Sequence, residues 1–366
     1  MTVEEQYELN IGPQHPSTHG VFRIKVAMNG ETIEDLDMIV GYLHRSMEKL
    51  SEERTFTQNI PFTDRADYLA AMSNNLGYCL AIEKLANVIP PQRATVLRVI
   101  FAELQRIASH AMANGTLVSD AGAWQTPLLY MFREREKILD LFEMTCGARL
   151  TTNYMRIGGV AFEPPDEFYP LLNELLGELP DKVDEYMDLL STNEIFIART
   201  KEVGIISPED AINASLSGPA LRGSGVPWDL RKAEPYCDYE NYSFDVPVGN
   251  TGDSYDRFMV RMFEVKESIK IIKQALNELP SGMHKTQIPL ALRPEPGQVY
   301  YRTEGPRGEL GYFVISDGGP APYRMHIRAP SLINLSLLKQ LAVGSSLPDA
   351  VVTLGSIDIV VGEIDR

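Results

Sequence analysis

Two histidines four residues apart are the first residues in this chain whose types and spacing suggest chemistry. His15 and His19 belong to the string GPQHPSTHGVFR, residues 12–23. Four-residue spacing places two histidines on one face of a helix, as zinc proteases require, but Pro16 and Gly20 exclude a helix here. We therefore expect a tight turn that aims both imidazoles into a cavity. The simpler alternative is that both are solvated or bonded to the backbone.

Asp120 is a second candidate, because it is a carboxylate in the otherwise apolar run LVSDAG, just after the predicted helix that contains His110. An unpaired buried carboxylate is costly, so Asp120 needs a cationic or donor partner. A helix cap or a turn is the alternative. On that predicted helix, residues 98–112, the stripe of Glu103, Arg106 and His110 indicates internal salt bridges rather than a solvated face.

The cysteines argue against one large class of redox site. The chain contains three, Cys79, Cys146 and Cys237, and each stands alone. Bimetallic and iron–sulfur centres need several converging thiolates. We therefore expect that this chain alone binds no metal and that the cysteines are small buried hydrophobes. Any redox metal then belongs to a partner.

The first of three predicted parts, residues 1–45, is a β-hairpin region that also contains the histidine loop. Apolar residues alternate from Phe22 to Met28, and a second strand returns from Glu31 to Val40. Between them, Asn29 and Gly30 fit the two positive φ angles of a type I′ turn. The loop with His15 and His19 thus leads directly into a hairpin.

Residues 46–280 form a predicted helical lobe, including a helix over 68–85 that Thr63 and Asp64 would cap. Prolines at 280–296 mark a boundary, and residues 281–366 form the third part. There, residues 311–316 and 323–328 flank the turn residues Asp317-Gly318-Gly319 as a second hairpin, followed by an amphipathic helix over 331–342. The predicted fold class is α+β, with a central helical bundle between β-rich ends.

Composition limits the partners. A formal net charge of −16 argues against nucleic acid, and 366 residues with 44% hydrophobic content can bury a large core. No stretch reaches the roughly 20 apolar residues that span a bilayer. No secretion signal is evident, and the odd number of cysteines fits a reducing cytoplasm. We expect a cytoplasmic chain that does not itself cross a membrane.

Short strings along nearly the whole chain resemble the D subunit of respiratory complex I, the quinone-side subunit of proton-pumping NADH:quinone oxidoreductases. They are GPQHPSTHGVFR, GYLHR with Glu48, DRADYL, ELQRIASH, FRERE, GARLTTNYMRIGGV, LSGPALRGSG, WDLRK, ESIKII and GSIDIVVGEIDR. Their number and order make the resemblance specific. It implies a fold like the large subunit of nickel–iron hydrogenases, whose two pairs of metal-binding cysteines this chain lacks.

The resemblance implies the site residues as well. Quinone reduction takes two protons and two electrons, so the site needs hydrogen-bond donors that release protons. The matching family positions make His19 and Tyr68 the quinone ligands, with Asp120 paired to His19, and place His15 and Met112 along the quinone chamber. For Tyr68 and Met112, ordinary core packing is the alternative.

Arg45 and Arg65 match arginines that, in the family, lie beside the terminal iron–sulfur cluster of the adjacent small subunit. Positive charge there raises the potential of a cluster. Two positions depart from the family pattern. Ser46 replaces the usual glycine, which is expected to stiffen the loop, and Thr151 replaces a frequent histidine, so no role is assigned to it.

We therefore predict a subunit of complex I that forms the quinone-reduction chamber beside a partner's cluster and is not active alone. Expected partners are the small iron–sulfur subunit, other peripheral-arm subunits and the membrane-arm subunits that deliver quinone. The alternative is a metal-free structural scaffold of a hydrogenase-like membrane-bound complex. The electron donor and the kind of quinone depend on other subunits.

Overall fold

The structure, a computed structural model, describes residues 6–13, 21–123, 126–289 and 291–366. Its strands are β1 Gln6–Ile11, β2 Arg23–Asn29, β3 Thr32–Ile39, β4 Met155–Arg156, β5 Gly159–Val160, β6 Gly297–Gly305, β7 Gly308–Ser316 and β8 Arg324–Arg328. Its helices are α1 Met47–Glu52, α2 Ile60–Thr63, α3 Ala71–Ala86, α4 Gln92–Asp120, α5 Thr126–Cys146, α6 Phe168–Ser191, α7 Glu194–Thr200, α8 Pro208–Asn213, α9 Gly218–Gly223, α10 Leu230–Ala233, α11 Ser254–Asn277, α12 Pro330–Leu335, α13 Leu338–Ala342, α14 Leu347–Ile357 and α15 Val361–Asp365. The predicted α+β class is confirmed.

The N-terminal sheet has the antiparallel order β1-β2-β3. The predicted hairpin of β2 and β3 is confirmed, but its turn is not the one expected. Asn29 pairs with Thr32, which leaves Gly30 and Glu31 as the two loop residues. Of these, only Gly30 has a positive φ, 60°, so the type I′ assignment to Asn29-Gly30 is wrong. The register also shifts between Ala27 and Met28, where the pairing is irregular.

The central lobe is built around α4 and α11, two long helices that pack against each other. The helix predicted over 98–112 is longer, because it begins directly after Pro91 and continues to Asp120. Its charged stripe is internal, as predicted: Arg106 Nε lies 3.3 Å from Glu103 Oε2, and His110 Nε2 lies 2.8 Å from a carboxylate oxygen of Glu264 on α11. The first contact lies within α4, and the second connects α4 to α11 inside the lobe.

The C-terminal sheet has the order β6-β7-β8 and packs on α3. Its β7–β8 pair confirms the second predicted hairpin. Gly77 of α3 allows the close approach, since a Cβ there would lie 3.0 Å from Thr303 Oγ1 and 3.1 Å from a ring carbon of Tyr312. Helix and sheet thus share one hydrophobic core.

The single helix predicted over 331–342 is wrong, because the structure has α12 and α13 with a break between them. The break lets Leu337 enter a different hydrophobic cluster from Leu335 and Leu338. The cluster that contains Leu335 and Leu338 also contains Val26 and Ile364, so the C-terminal helices pack on the N-terminal sheet. The predicted boundaries of the three parts, after residues 45 and 280, stay a prediction.

Candidate functional site

Tyr68 lies in the turn between α2 and α3. The helix predicted over 68–85 begins only at Ala71, and Thr63 and Asp64 do not cap it. Instead, a carboxylate oxygen of Asp67 accepts hydrogen bonds from Leu69 N at 3.0 Å and Ala70 N at 3.1 Å. These bonds hold residues 67–70 in a turn before the helix, because they compete with helical pairing.

The hydroxyl of Tyr68 makes no hydrogen bond to another residue in the described part of the chain, and its side chain is half-buried. Burial and the nearby Asp67 carboxylate raise the pKa of Tyr68, although the positive charges of Arg307 and Arg45 oppose this. Tyr68 therefore keeps its proton at neutral pH. Its hydroxyl is available as a hydrogen-bond donor to a ligand.

Beneath Tyr68 lies a buried cluster of charges that sequence reasoning missed. Arg307 donates to Asp67 at 2.6 Å and to Asp358 at 3.2 Å, and all three side chains are at least nine-tenths buried. Burial and the neighbouring Asp67 raise the pKa of Glu363 to about 8, against the opposing charge of Arg307. The cluster holds Asp67 and so fixes the turn that carries Tyr68.

The close approach of α15 completes this wall of the site. A Cβ at Gly362 would lie 2.7 Å from Ala66 O and 3.4 Å from a ring carbon of Tyr68, so glycine alone fits without a shift. Asp358, Gly362 and Glu363 all belong to the closing string GSIDIVVGEIDR. The carboxylates of this string lie in an otherwise apolar run. The same pattern made Asp120 a candidate, so it could also have identified these residues from the sequence.

Asp120 is the last residue of α4 rather than a residue after it, so the cap or turn alternative at that place is wrong. It is half-buried and faces α14, because a Cβ at Gly355 would lie 2.8 Å from a carboxylate oxygen of Asp120. Met112 lies on the same helix and is also half-buried. The expected partner His19 and the predicted chamber residue His15 fall within residues 14–20, which lie outside the described residues. The pairing of His19 with Asp120 stays a prediction.

Arg45 and Arg65 lie together on an exposed face. Arg45 Nη2 donates to the backbone oxygen of Arg65 at 2.8 Å, and Arg65 Nη1 donates to Pro61 O at 2.6 Å. The Arg65 side chain is 45% exposed. The positive charge of Arg45 also acts on the pKa of Tyr68, so Arg45 lies near both Arg65 and Tyr68.

Asp64, beside Arg65, is another residue that sequence reasoning misread as a cap. Its side chain is fully buried, and its carboxylate lies 3.7 Å from Arg65 Nη1. Burial raises the pKa of Asp64 to about 7, although a hydrogen bond from Asn75 and the charges of Arg65 and Arg156 oppose this. Asp64 is therefore a carboxyl group that titrates near neutrality under the exposed arginines.

Ser46 adopts the left-handed conformation, with a φ of 53°. Glycine adopts this conformation without the strain that a side chain adds. Ser46 therefore replaces the family's usual glycine at a position where the backbone conformation favours glycine.

The described ranges contain no group of three or more His, Cys, Asp or Glu side chains placed to hold a metal ion. All three cysteines are free thiols, with Cys79 buried and Cys146 and Cys237 partly exposed. As for membrane contact, none of the helices in the described residues has the length and apolar content needed to cross a bilayer.

Comparison with known proteins agrees with this architecture. A family model described as the 49 kDa subunit of respiratory-chain NADH dehydrogenase matches residues 120–295 and 283–366. The D subunit of NADH-quinone oxidoreductase from Dehalococcoides mccartyi strain 195 is 54% identical over 362 residues, which cover 99% of each chain. The first of the D subunits from Roseiflexus sp. strain RS-1 is 50% identical across both whole chains. The D subunit from Clostridium beijerinckii is 51% identical over 99% of this chain and 98% of its own.

The fold and these matches define a component of a respiratory oxidoreductase complex, with a fold of the hydrogenase-large-subunit type. The chain belongs to the family of 49 kDa subunits of respiratory-chain NADH dehydrogenase, which are the D subunits of complex I. The family that the sequence strings indicated is therefore confirmed. Its partners are other subunits of such a complex.

Proposed function

We propose that this chain forms one wall of the quinone-reduction chamber of a complex I-type NADH:quinone oxidoreductase. The observation that carries the proposal is the half-buried Tyr68, whose hydroxyl has no partner among the described residues and which lies in the same turn as Arg65. Because no residue in the described part of the chain accepts its hydrogen bond, this hydroxyl is free to donate to an acceptor on a ligand. A quinone carbonyl oxygen is such an acceptor.

Reduction of a quinone to a quinol adds one proton to each of its two carbonyl oxygens. Tyr68 donates a hydrogen bond to one carbonyl, which becomes more basic as electrons arrive. His19 serves the other, because an imidazole titrates near neutrality, and Asp120 stabilises its charged form. His15 and Met112 line the chamber. The protons come from these side chains, while the electrons come from a partner.

That partner is the small subunit with the terminal iron–sulfur cluster, which docks against Arg45 and Arg65. The exposure of both side chains and the hydrogen bond from Arg45 to the Arg65 backbone support this placement, because two neighbouring cations on one surface attract a negatively charged group. Positive charge close to a cluster stabilises its reduced state. Other peripheral-arm and membrane-arm subunits complete the assembly at the cytoplasmic face of the membrane, where the lipid-soluble quinone enters.

The alternative function is a metal-free structural scaffold in a hydrogenase-like membrane-bound complex. The buried charge cluster of Asp67, Arg307 and Asp358 would suit such a role, because it braces the fold. A scaffold, however, gives no reason for an unbonded tyrosine hydroxyl next to two exposed arginines.

Tyr68→Phe tests the proposal, because it keeps the ring and deletes only the donor. Losing a hydrogen bond to the reacting oxygen should cost about 1 to 3 kcal/mol, a rate loss of roughly tenfold to a hundredfold. Assembly and stability should not change, since the hydroxyl has no partner among the described residues. Electron transfer to ferricyanide, which bypasses the quinone, should also remain.

Tyr323→Phe is the matched control, since Tyr323 is 66% exposed and lies in the turn before β8. It should reduce quinone at the wild-type rate. If Tyr68→Phe does the same across quinones of different tail length, the headgroup assignment is wrong and Tyr68 is a packing residue.

A further inference from the structure

The loop over residues 40–46, which carries Arg45, has no regular secondary structure and is mostly exposed. Its residues Val40 and Tyr42 are 46% and 47% exposed, and Gly41 has a φ of 115°. A loop of this kind has few contacts of its own that fix its course. The position of Arg45 therefore depends on contacts from elsewhere in the chain.

One such contact comes from Asp365 at the end of α15. Its buried carboxylate accepts hydrogen bonds from Gly41 N and Leu43 N, both at 2.7 Å. Its backbone oxygen lies 2.6 Å from His44 Nδ1. Because a carbonyl oxygen only accepts, His44 carries a proton on Nδ1 and donates it. Three groups of the loop are thus held by one residue.

The next residue holds the other end of the loop. Arg366 Nε donates to Glu48 Oε1 on α1 at 3.2 Å, and the same oxygen accepts from Ile327 N at 3.0 Å. The second oxygen of Glu48 accepts from Arg324 at 2.8 Å. Helix α1 begins two residues after Arg45, so Glu48 anchors the loop where it enters the helix.

Arg45 lies between these two anchors and donates to the backbone oxygen of Arg65. Hydrogen bonds from backbone amides to a carboxylate are among the stronger ones, and a buried carboxylate makes them stronger still. We propose that Asp365 and Arg366 form a clasp that positions the loop over 40–46 and thereby holds the Arg45 guanidinium against the turn with Arg65 and Tyr68.

The consequence for the complex rests on the proposed function. If Arg45 faces the cluster of the small partner subunit, the clasp sets the distance between that positive charge and the cluster. Loosening the clasp should then lower the reduction potential of the cluster, as removing the charge of Arg45 would. Asp365 and Arg366 are thus positioning residues, which act through Arg45.

The test uses Asp365→Asn in the intact complex, with two readouts. Hydrogen–deuterium exchange of the loop amides should become about tenfold faster, because asparagine has no charge and retains only one acceptor oxygen for the amides of Gly41 and Leu43. A redox titration with paramagnetic resonance should show the partner's cluster at a lower potential, shifted toward that of Arg45→Met. In the double variant of Asp365 and Arg45, the potential should shift no further than in Arg45→Met alone.

Asp317→Asn is the matched control, because Asp317 also accepts from a backbone amide, that of Gly319 at 2.8 Å, in a different loop. It should change neither readout. If Asp365→Asn prevents assembly, Arg366→Met loosens the other anchor, while Arg366→Lys retains the charge and should restore most of the potential.

The outcomes separate the inference from the proposed function. If Arg45→Met lowers the cluster potential but the Asp365 and Arg366 variants do not, the clasp does not position Arg45 and the inference is overturned. If Arg45→Met leaves the potential unchanged, the placement of the arginines beside a cluster fails, whatever the exchange rates show. Unchanged exchange in Asp365→Asn would also overturn the clasp.

Discussion

Asp64 offers a prediction that depends only on the chain itself. Its carboxyl is fully buried beside Arg65, and its pKa is raised from 3.8 to about 7 by burial. In the unfolded chain the same carboxyl ionises near its ordinary value. The folded chain therefore keeps a proton that the unfolded chain releases. The stability from this group is complete below about pH 4 and is lost as the pH rises through about 7.

The size of the effect follows from the shift. A difference of about 3 units at 1.36 kcal/mol each corresponds to about 4 kcal/mol over the whole range. At about pH 5 the carboxyl is already mostly ionised in the unfolded chain, so about a third of this stability contribution has been lost by that pH. Between about pH 5 and about pH 8, the remaining loss is about 2 to 3 kcal/mol.

Asp64→Asn removes this titration and keeps an oxygen that accepts from the Asn75 amide. The free energy of unfolding of the variant, relative to the wild type, should therefore increase by about 2 to 3 kcal/mol from about pH 5 to about pH 8. Urea unfolding of the purified subunit, followed by circular dichroism at both pH values, measures it. Titrations of all other groups are common to both proteins and cancel.

Asp35→Asn is a useful control, because the pKa of Asp35 is shifted in the opposite direction from that of Asp64. Asp35 is exposed, and a hydrogen bond from Lys339 lowers its pKa. Its contribution is present above its ordinary pKa and is lost as the pH falls, so its variant should not gain stability toward alkaline pH. If wild type and Asp64→Asn keep the same difference at both pH values, Asp64 is not a buried carboxyl that holds its proton, and the reasoning fails.

Two further predictions concern the proposed site. Arg65→Met should lower the potential of the partner's cluster and slow quinone reduction while assembly survives, because it removes an exposed positive charge; an unchanged potential in a redox titration would contradict this. His19→Ala and Asp120→Asn should each slow quinone reduction, and the double change should cost less than the sum of the single changes, because the two act as one pair. Additive losses in steady-state quinone reduction would mean that Asp120 does not act through His19.

Local patterns in the sequence correctly predicted the elements that form from neighbouring residues. The strands of the β2–β3 and β7–β8 hairpins follow from period-two alternation, and the internal charge stripe of α4 follows from helical spacing. Details that depend on pairing across the fold were missed. The turn between β2 and β3 falls one residue later than expected, and the predicted helix over 331–342 is divided where Leu337 enters a different hydrophobic cluster.

The sequence by itself determined the family and the candidate donors, because these depend on which residues occur and in what order. Only the tertiary structure decided which distant groups meet. Asp67 pairs with Arg307 across 240 positions, and Asp365 holds backbone amides more than 320 positions away. The first pair forms because β6 and β7 pack on α3. The second forms because apolar residues of α14 and α15 cluster with those of the N-terminal sheet. No local spacing encodes these contacts, since hydrophobic burial fixes them only after the chain has folded.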